Sequence, residues 1–357
     1  MLLQVLIRIA LLAASPRAAS AWIVGNTDMR TDDGSIANYM SPVADFVNTA
    51  SGPFNLTESV EDHRNSLANS VAQFGGTPAP GVSWRDELIP GYNGDPALSV
   101  RIYRPWPPRA HNDLPAVVYA HGGAWALSNV SVHNTQVTHL VKACHCVHVS
   151  VEYRLAPESK FPGAVRDVYA ALVWTYEHAS ELNVRADAIG VGGDSSGGNL
   201  AVAAAIMALR AGAYPPVRFQ ALIYPAVTFL YDDPAFPSIT EFAFLQTYGL
   251  DQMLYFRDLY FESPADYGDP LASPYYAEDS VLELLPPGLV VTAEFDTLRD
   301  EGTAWAAKMS ELGIAMAAWR VMHLIHPFYI MRSIFPLEVS WVDAVYGETV
   351  NMLCGTA

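Results

Sequence analysis

An α/β fold is predicted for this chain, with a mostly parallel central sheet covered by helices on both faces. Three observations predict it. Short apolar runs recur from Ala116 onward, helical patterns lie between them, and a glycine-rich segment joins one run to one helix. Strands buried on both faces read as continuous apolar runs, and parallel neighbours need a crossover between them.

The elements follow in chain order. Residues 1–14 are nearly all apolar and Ala19-Ser20-Ala21 is a small-x-small cleavage signal, so 1–21 reads as a secretory signal peptide. A cap helix or an anchor are the other readings, although the run is short for a bilayer span. Residues 22–81 read as the N-terminal part of a cap. Within them 59–74 has Val60, Leu67, Val71 and Phe74 at helical spacing, with Thr57 as the candidate cap. Residues 82–357 form the core. It opens with an antiparallel pair, 82–88 and 98–103, joined through Pro90-Gly91-Tyr92-Asn93-Gly94. Strands are predicted at 116–119, 147–153, 189–192, 221–224, 289–293 and 317–322, and helices at 164–178, 199–211 and 302–312. The stretch 228–283 breaks the alternation and reads as a cap insertion. Its seven aromatics between Phe242 and Phe261 either wall an apolar pocket or pack helices.

Composition narrows the function. The chain of 357 residues is 51% hydrophobic and 16% charged, which is globular. A formal net charge of −17 repels nucleic acid and anionic lipid alike. Cys144 and Cys146 lie two apart in what reads as a strand, where such residues rarely meet bridge geometry. No disulfide is therefore expected, and both thiols should be buried as small apolar groups. Cys144-His145-Cys146 lacks a second ligand pair at zinc spacing, so no metal is expected. Sequons at Asn55 and Asn129 are compatible with secretion.

The chemistry sits at strand ends. Gly193-Asp194-Ser195-Ser196-Gly197 matches G-x-S-x-G on a strand-to-helix junction. Glycines flanking the serine permit a sharp turn that lifts its hydroxyl out of the sheet toward the first helical N–H groups. Upstream, the first parallel strand runs into His121-Gly122-Gly123-Ala124-Trp125, whose small residues let backbone N–H groups approach a ligand. That makes an oxyanion hole: Gly123, Ala124 and Ser196 N–H as donors, Gly122 keeping the loop open. Downstream, Asp296 and His326 each follow a strand, giving the order Ser, Asp, His. His326 would take the Ser195 proton, and Asp296 would fix the imidazole tautomer. His323, three residues earlier, falls at the strand end. Glu294 and Asp300 flank Asp296, and Asp300 reads as a helix-start residue. Tyr153, Arg154 and Glu158 read as structural, and His121 as a brace for the oxyanion loop.

Five ordered motifs carry a resemblance. They are His121-Gly122-Gly123-Ala124-Trp125; Tyr153 to Glu158 with Phe161-Pro162; Gly193 to Asn199; Asp296 to Glu301; and His326-Pro327-Phe328. From about Val82 to its end, the chain resembles the hormone-sensitive-lipase-like carboxylesterases. The resemblance implies an α/β-hydrolase core, a helical cap made from the N-terminal segment and an insertion, and cleavage of short- to medium-chain acyl esters. Two positions depart from it: Ala124 replaces the usual third glycine, and Pro327 the usual glycine after the histidine. Ala124 keeps its N–H; Pro327 lacks one and stiffens its loop. No cofactor is implied, and the partner is a small-molecule ester. Relatives that tailor secondary metabolites by deacylation or elimination are the alternative, since triad residues serve both. A non-catalytic ligand receptor would be expected to have lost one of Ser195, Asp296 or His326.

Overall fold

The computed structural model describes residues 22–24 (backbone only), 47–48, 54–107 and 114–356. Residues 1–21, with the predicted signal peptide, lie outside them. Among the described residues no helix is long and apolar enough to cross a membrane.

One sheet of nine strands organises the described residues: β1 (Trp22–Val24), β2 (Val82–Ile89), β3 (Leu98–Pro105), β4 (Leu114–Ala120), β5 (Val147–Val151), β6 (Val184–Asp194), β7 (Gln220–Ile223), β8 (Gly288–Phe295) and β9 (Met316–Ile325). Their order is β1-β9-β8-β7-β6-β4-β5-β3-β2. The pair β2/β3 is antiparallel, as the turn-rich entry predicted; β3/β5, for which no direction was predicted, is antiparallel too, and the rest are parallel.

Among the described residues seven longer helices accompany the sheet: α1 (Val60–Phe74), α2 (Asn134–Cys144), α3 (Gly163–Glu177), α4 (Ser196–Arg210), α5 (Leu250–Tyr260), α6 (Arg299–Glu311) and α7 (Pro336–Cys354). Alternation along β4 explains the layers. Ala116, Val118 and Ala120 enter one core with Val165 of α3, Leu200 of α4 and Trp305 of α6. Val117 and Tyr119 enter the other with Leu140 of α2 and Val342 of α7. With both faces covered, polar residues have no place on this strand.

The structure corrects three readings. Cys144 and Cys146 form a disulfide, Cα to Cα 5.2 Å. They do not share a strand: Cys144 ends α2, and His145 adopts a left-handed conformation (φ 51°, ψ 41°) that folds Cys146 back toward it. Ser59, not Thr57, caps α1. Its hydroxyl accepts from the Asp62 N–H at 3.1 Å, and the Asp62 carboxylate accepts from the Ser59 N–H at 3.2 Å, a reciprocal pair. Thr57 instead donates to Asn55. Third, α2 and α7 were not predicted. Gly347 lowers the helix propensity of α7, yet a Cβ there would meet the Ala143 carbonyl at 2.3 Å, so packing on α2 selects the glycine.

Candidate active site

Every functional side chain sits at the carboxyl end of a parallel strand. At the end of β6 the chain turns into α4 through Ser195, whose φ of 55° and ψ of −124° cost a non-glycine residue on the order of 1–3 kcal/mol. Its neighbours hold it there. The Ser195 N–H donates to the Ile223 carbonyl at 2.9 Å, and its own carbonyl accepts from Gly198 and Ala226. A Cβ on Gly193 would lie 2.3 Å from the Gly197 oxygen, and one on Gly197 2.0 Å from the Ala120 oxygen. Side chains at either glycine would therefore prevent the turn.

The three residues separated in sequence meet here. Ser195 Oγ lies 3.0 Å from His326 Nε2, and His326 Nδ1 lies 3.0 Å from Asp296 Oδ2. The other Asp296 oxygen accepts from the Leu298 N–H at 2.8 Å. A proton on Nδ1, facing the carboxylate, leaves Nε2 free to accept from the serine. Tyr248 stacks on the imidazole at 4.9 Å and Tyr224 meets it edge-on at 4.7 Å. Pro327 does not divert His326 from either partner.

The candidate oxyanion loop, after β4, is tied to the same turn. Gly122 donates its N–H to Asp194 Oδ1 at 2.9 Å, so it anchors the loop. A Cβ on Gly123, at φ 138°, would strike the Leu127 carbonyl at 2.1 Å. Ala124 sits at φ 50°, a conformation that favours the family's glycine. Among the described residues, the N–H groups of Gly123 and Ala124 have no acceptor, and both residues line a cavity with Ser195. Ser196 opens α4, so its N–H has no intrahelical partner.

Sequence reasoning gave Asp194 no role. The structure makes it a hub: besides Gly122 it accepts from the Tyr119 hydroxyl at 2.8 Å and faces His133 Nε2 at 3.3 Å. Burial opposes its charge, but His133 and these hydrogen bonds hold its carboxyl below the usual range. A charged residue between an apolar strand and an apolar helix was the available signal. His121 is fully buried beside Gly122. Burial and the neighbouring His133 push its imidazole down to about 3, and Nδ1 bonds the Gly122 oxygen at 2.9 Å.

The other candidates are placed elsewhere. His323 lies in β9, half exposed, with its N–H on Glu294 at 2.7 Å. Asp300, in the first turn of α6, pairs with Arg299 and accepts from the Ser238 N–H. Arg154 clasps Asp167 and Asp95, and Glu158 clasps Arg64, tying α1 to the core. Glu301, given no role of its own from the sequence, is fully buried and accepts from the Val227 and Thr228 N–H groups. Burial pushes its carboxyl well above the usual range, helped by the charges of Asp296 and Asp300.

Beside Ser195 lies a cavity of about 210 Å³, walled in part by Leu67 of α1, Leu127, Phe256 of α5, Ile330 and Met331. Of the seven insertion aromatics, Tyr248 and Phe256 line it. Phe242 packs on Phe295, Tyr260 on Trp125 and Phe261 on Phe229, while Phe244 is exposed. Among the described residues the ligand atoms of Cys144, Cys146 and His148 cluster within 4.8 Å. Their sulfurs are joined, whereas a metal takes thiolates.

Fold and site together define a hydrolase of the α/β type. The family described as alpha/beta hydrolase fold matches residues 117–330. An arylesterase of Saccharolobus solfataricus is 39% identical over 66% of this chain and 74% of its own length. A carboxylesterase of Mycobacterium tuberculosis is 34% identical over 70% and 77%. A solved hyperthermophilic esterase from Pyrobaculum calidifontis superimposes with a TM-score of 0.80 at 35% identity, over 89% of this chain and all of its own (100%). A thermostable esterase from Pseudomonas putida gives 0.81 at 30% identity, over 88% and 97%. The chain belongs to the hormone-sensitive-lipase-like carboxylesterases of the α/β-hydrolase fold, and it is an ester-cleaving hydrolase.

Proposed function

We propose that this chain is a serine carboxylester hydrolase that cleaves short- to medium-chain acyl esters through an acyl-enzyme. Ser195 Oγ attacks the ester carbonyl as His326 Nε2 takes its proton, and Asp296 holds the imidazole and stabilises the imidazolium. The N–H groups of Gly123, Ala124 and Ser196 receive the oxyanion. His326 then protonates the leaving alcohol. Water attacks the acyl-enzyme with His326 again as base, releasing the acid and restoring Ser195.

The observation that carries this reading is the line from Ser195 to His326 to Asp296, 3.0 Å at each step. It opens into a cavity of about 210 Å³, which suits a small acyl group. The test is a series of aryl esters of increasing acyl length, run beside a serine-reactive phosphonate. Turnover should peak among the shorter chains, with labelling at Ser195. Labelling without turnover of any ester would overturn the proposal.

Secretion under the direction of residues 1–21 belongs to the same proposal. The Cys144–Cys146 disulfide supports it, since such bonds persist in oxidising compartments.

A further inference from the structure

The sheet ends on β2. Among the described residues no strand lies beyond it, so half of its N–H and C=O groups point away from β3 with no strand to receive them. Two apolar side chains are left out as well: Trp84 is 45% exposed and Leu88 72%. They stand two positions to either side of Asp86 and share one face of the sheet, while Arg85 and Glu87, one position to either side, share the other.

Charged residues on an edge strand normally protect it by repelling a second edge. Here they do the opposite. A two-fold axis through Asp86 lays two β2 strands antiparallel, each residue opposite the one equally far from Asp86 on the other side. Arg85 of one copy then faces Glu87 of the other, and Trp84 faces Leu88, each contact made twice by symmetry. Arg85 and Glu87 already pair within their own strand, so a second copy closes a ring of four charges of alternating sign. Moving the axis by one residue destroys both matches. Centred on Arg85 it sets Trp84 against Asp86 and Arg85 against itself; centred on Glu87 it sets Asp86 against Leu88 and Glu87 against itself.

Asp86 meets its own copy in the matched register, but its carboxylate is held by Arg101 of β3, whose Nε donates to Oδ1 at 2.6 Å and Nη2 to Oδ2 at 2.8 Å. No bare charge faces another. A chain of net charge −17 repels its copies, yet this edge is balanced, with Arg85, Arg101 and Arg104 of β2 and β3 against Asp86 and Glu87. Pro90, which lacks an N–H, ends the pairing. We propose that β2 is a docking edge for a second copy of this chain, and that the protein is an isologous dimer whose sheet runs through both copies.

Analytical ultracentrifugation of the full chain at micromolar concentration tests this. The parent should sediment as a dimer of 38.8 kDa chains. Arg85→Glu leaves only acids in the ring and Glu87→Arg only bases, so each should raise the dissociation constant about tenfold or more. Mixed in equal amounts, the two variants should recover the dimer, because acids of one copy then face bases of the other. Unchanged circular dichroism confirms the fold of each variant; if either does not fold, Leu88→Lys must dissociate the dimer in its place. A monomeric parent overturns the proposal. So does a dimer that Arg85→Glu or Leu88→Lys leaves intact, which would use another face, and so does a mixture that stays monomeric, which would exclude this register.

Discussion

Replacing Asp296 by Asn is the most discriminating perturbation of the site. The two side chains have the same shape, so packing around this fully buried residue is kept. Hydrogen bonding is not. Asp296 now accepts twice, from the Leu298 N–H at 2.8 Å through Oδ1 and from His326 Nδ1 at 3.0 Å through Oδ2. An asparagine has one acceptor and one donor. Turning its NH₂ toward Leu298 would set donor against donor in a dry site, so its oxygen stays there and its NH₂ faces His326. Nδ1 must then accept, the ring proton moves to Nε2, and Nε2 no longer takes a proton from Ser195. The expected loss is roughly 10⁴ in kcat, about 5 kcal/mol of transition-state stabilisation. Initial-rate kinetics on an aryl acetate measure it, with circular dichroism confirming the fold. A folded Asp296→Asn variant within tenfold of the parent rate would refute the tautomer argument.

Three further outcomes are expected. Ser195→Ala and His326→Ala should each lose on the order of 10⁴ to 10⁶ in kcat with the fold intact, and the double variant should lose little more; His323→Ala should keep most activity, and a dead His323→Ala beside an active His326→Ala would move the base. Glu301 binds a proton on folding, because burial raises its carboxyl well above the ordinary 4.5. Stability from this group is therefore greatest below about pH 4.5 and declines as pH rises through the folded value. Glu301→Gln should flatten that decline in urea midpoints taken from pH 4 to pH 8, and equal slopes would contradict the assignment. Intact-mass analysis of protein from its native host should find a chain beginning near Trp22; a retained Met1 would remove the secretion proposal.

What the amino-acid order settles here is whatever depends on neighbours along the chain. The apolar runs of β4, β6 and β8 mark a sheet buried on both faces. Gly193 and Gly197 mark the sharp turn at Ser195, because only hydrogen fits against the Ala120 and Gly197 carbonyls. Asp296 and His326 are legible because each follows a strand in an ordered motif, although 131 residues separate Ser195 from His326. Contacts made across the fold carry no such mark. Asp194 gains its purpose only when β4 lies beside β6 and brings Gly122 and Tyr119 to its carboxylate. The disulfide depends on a left-handed His145 that period-two reasoning passes over. Gly347 argues against a helix until α2 packs on it. His63 reads as one polar residue on a cap helix, and it becomes part of the cavity wall only because α1 is clamped over the site through Arg64 and Glu158. Local backbone chemistry is written in adjacent residues, whereas the partners of a buried polar atom are chosen by packing between segments far apart in the chain.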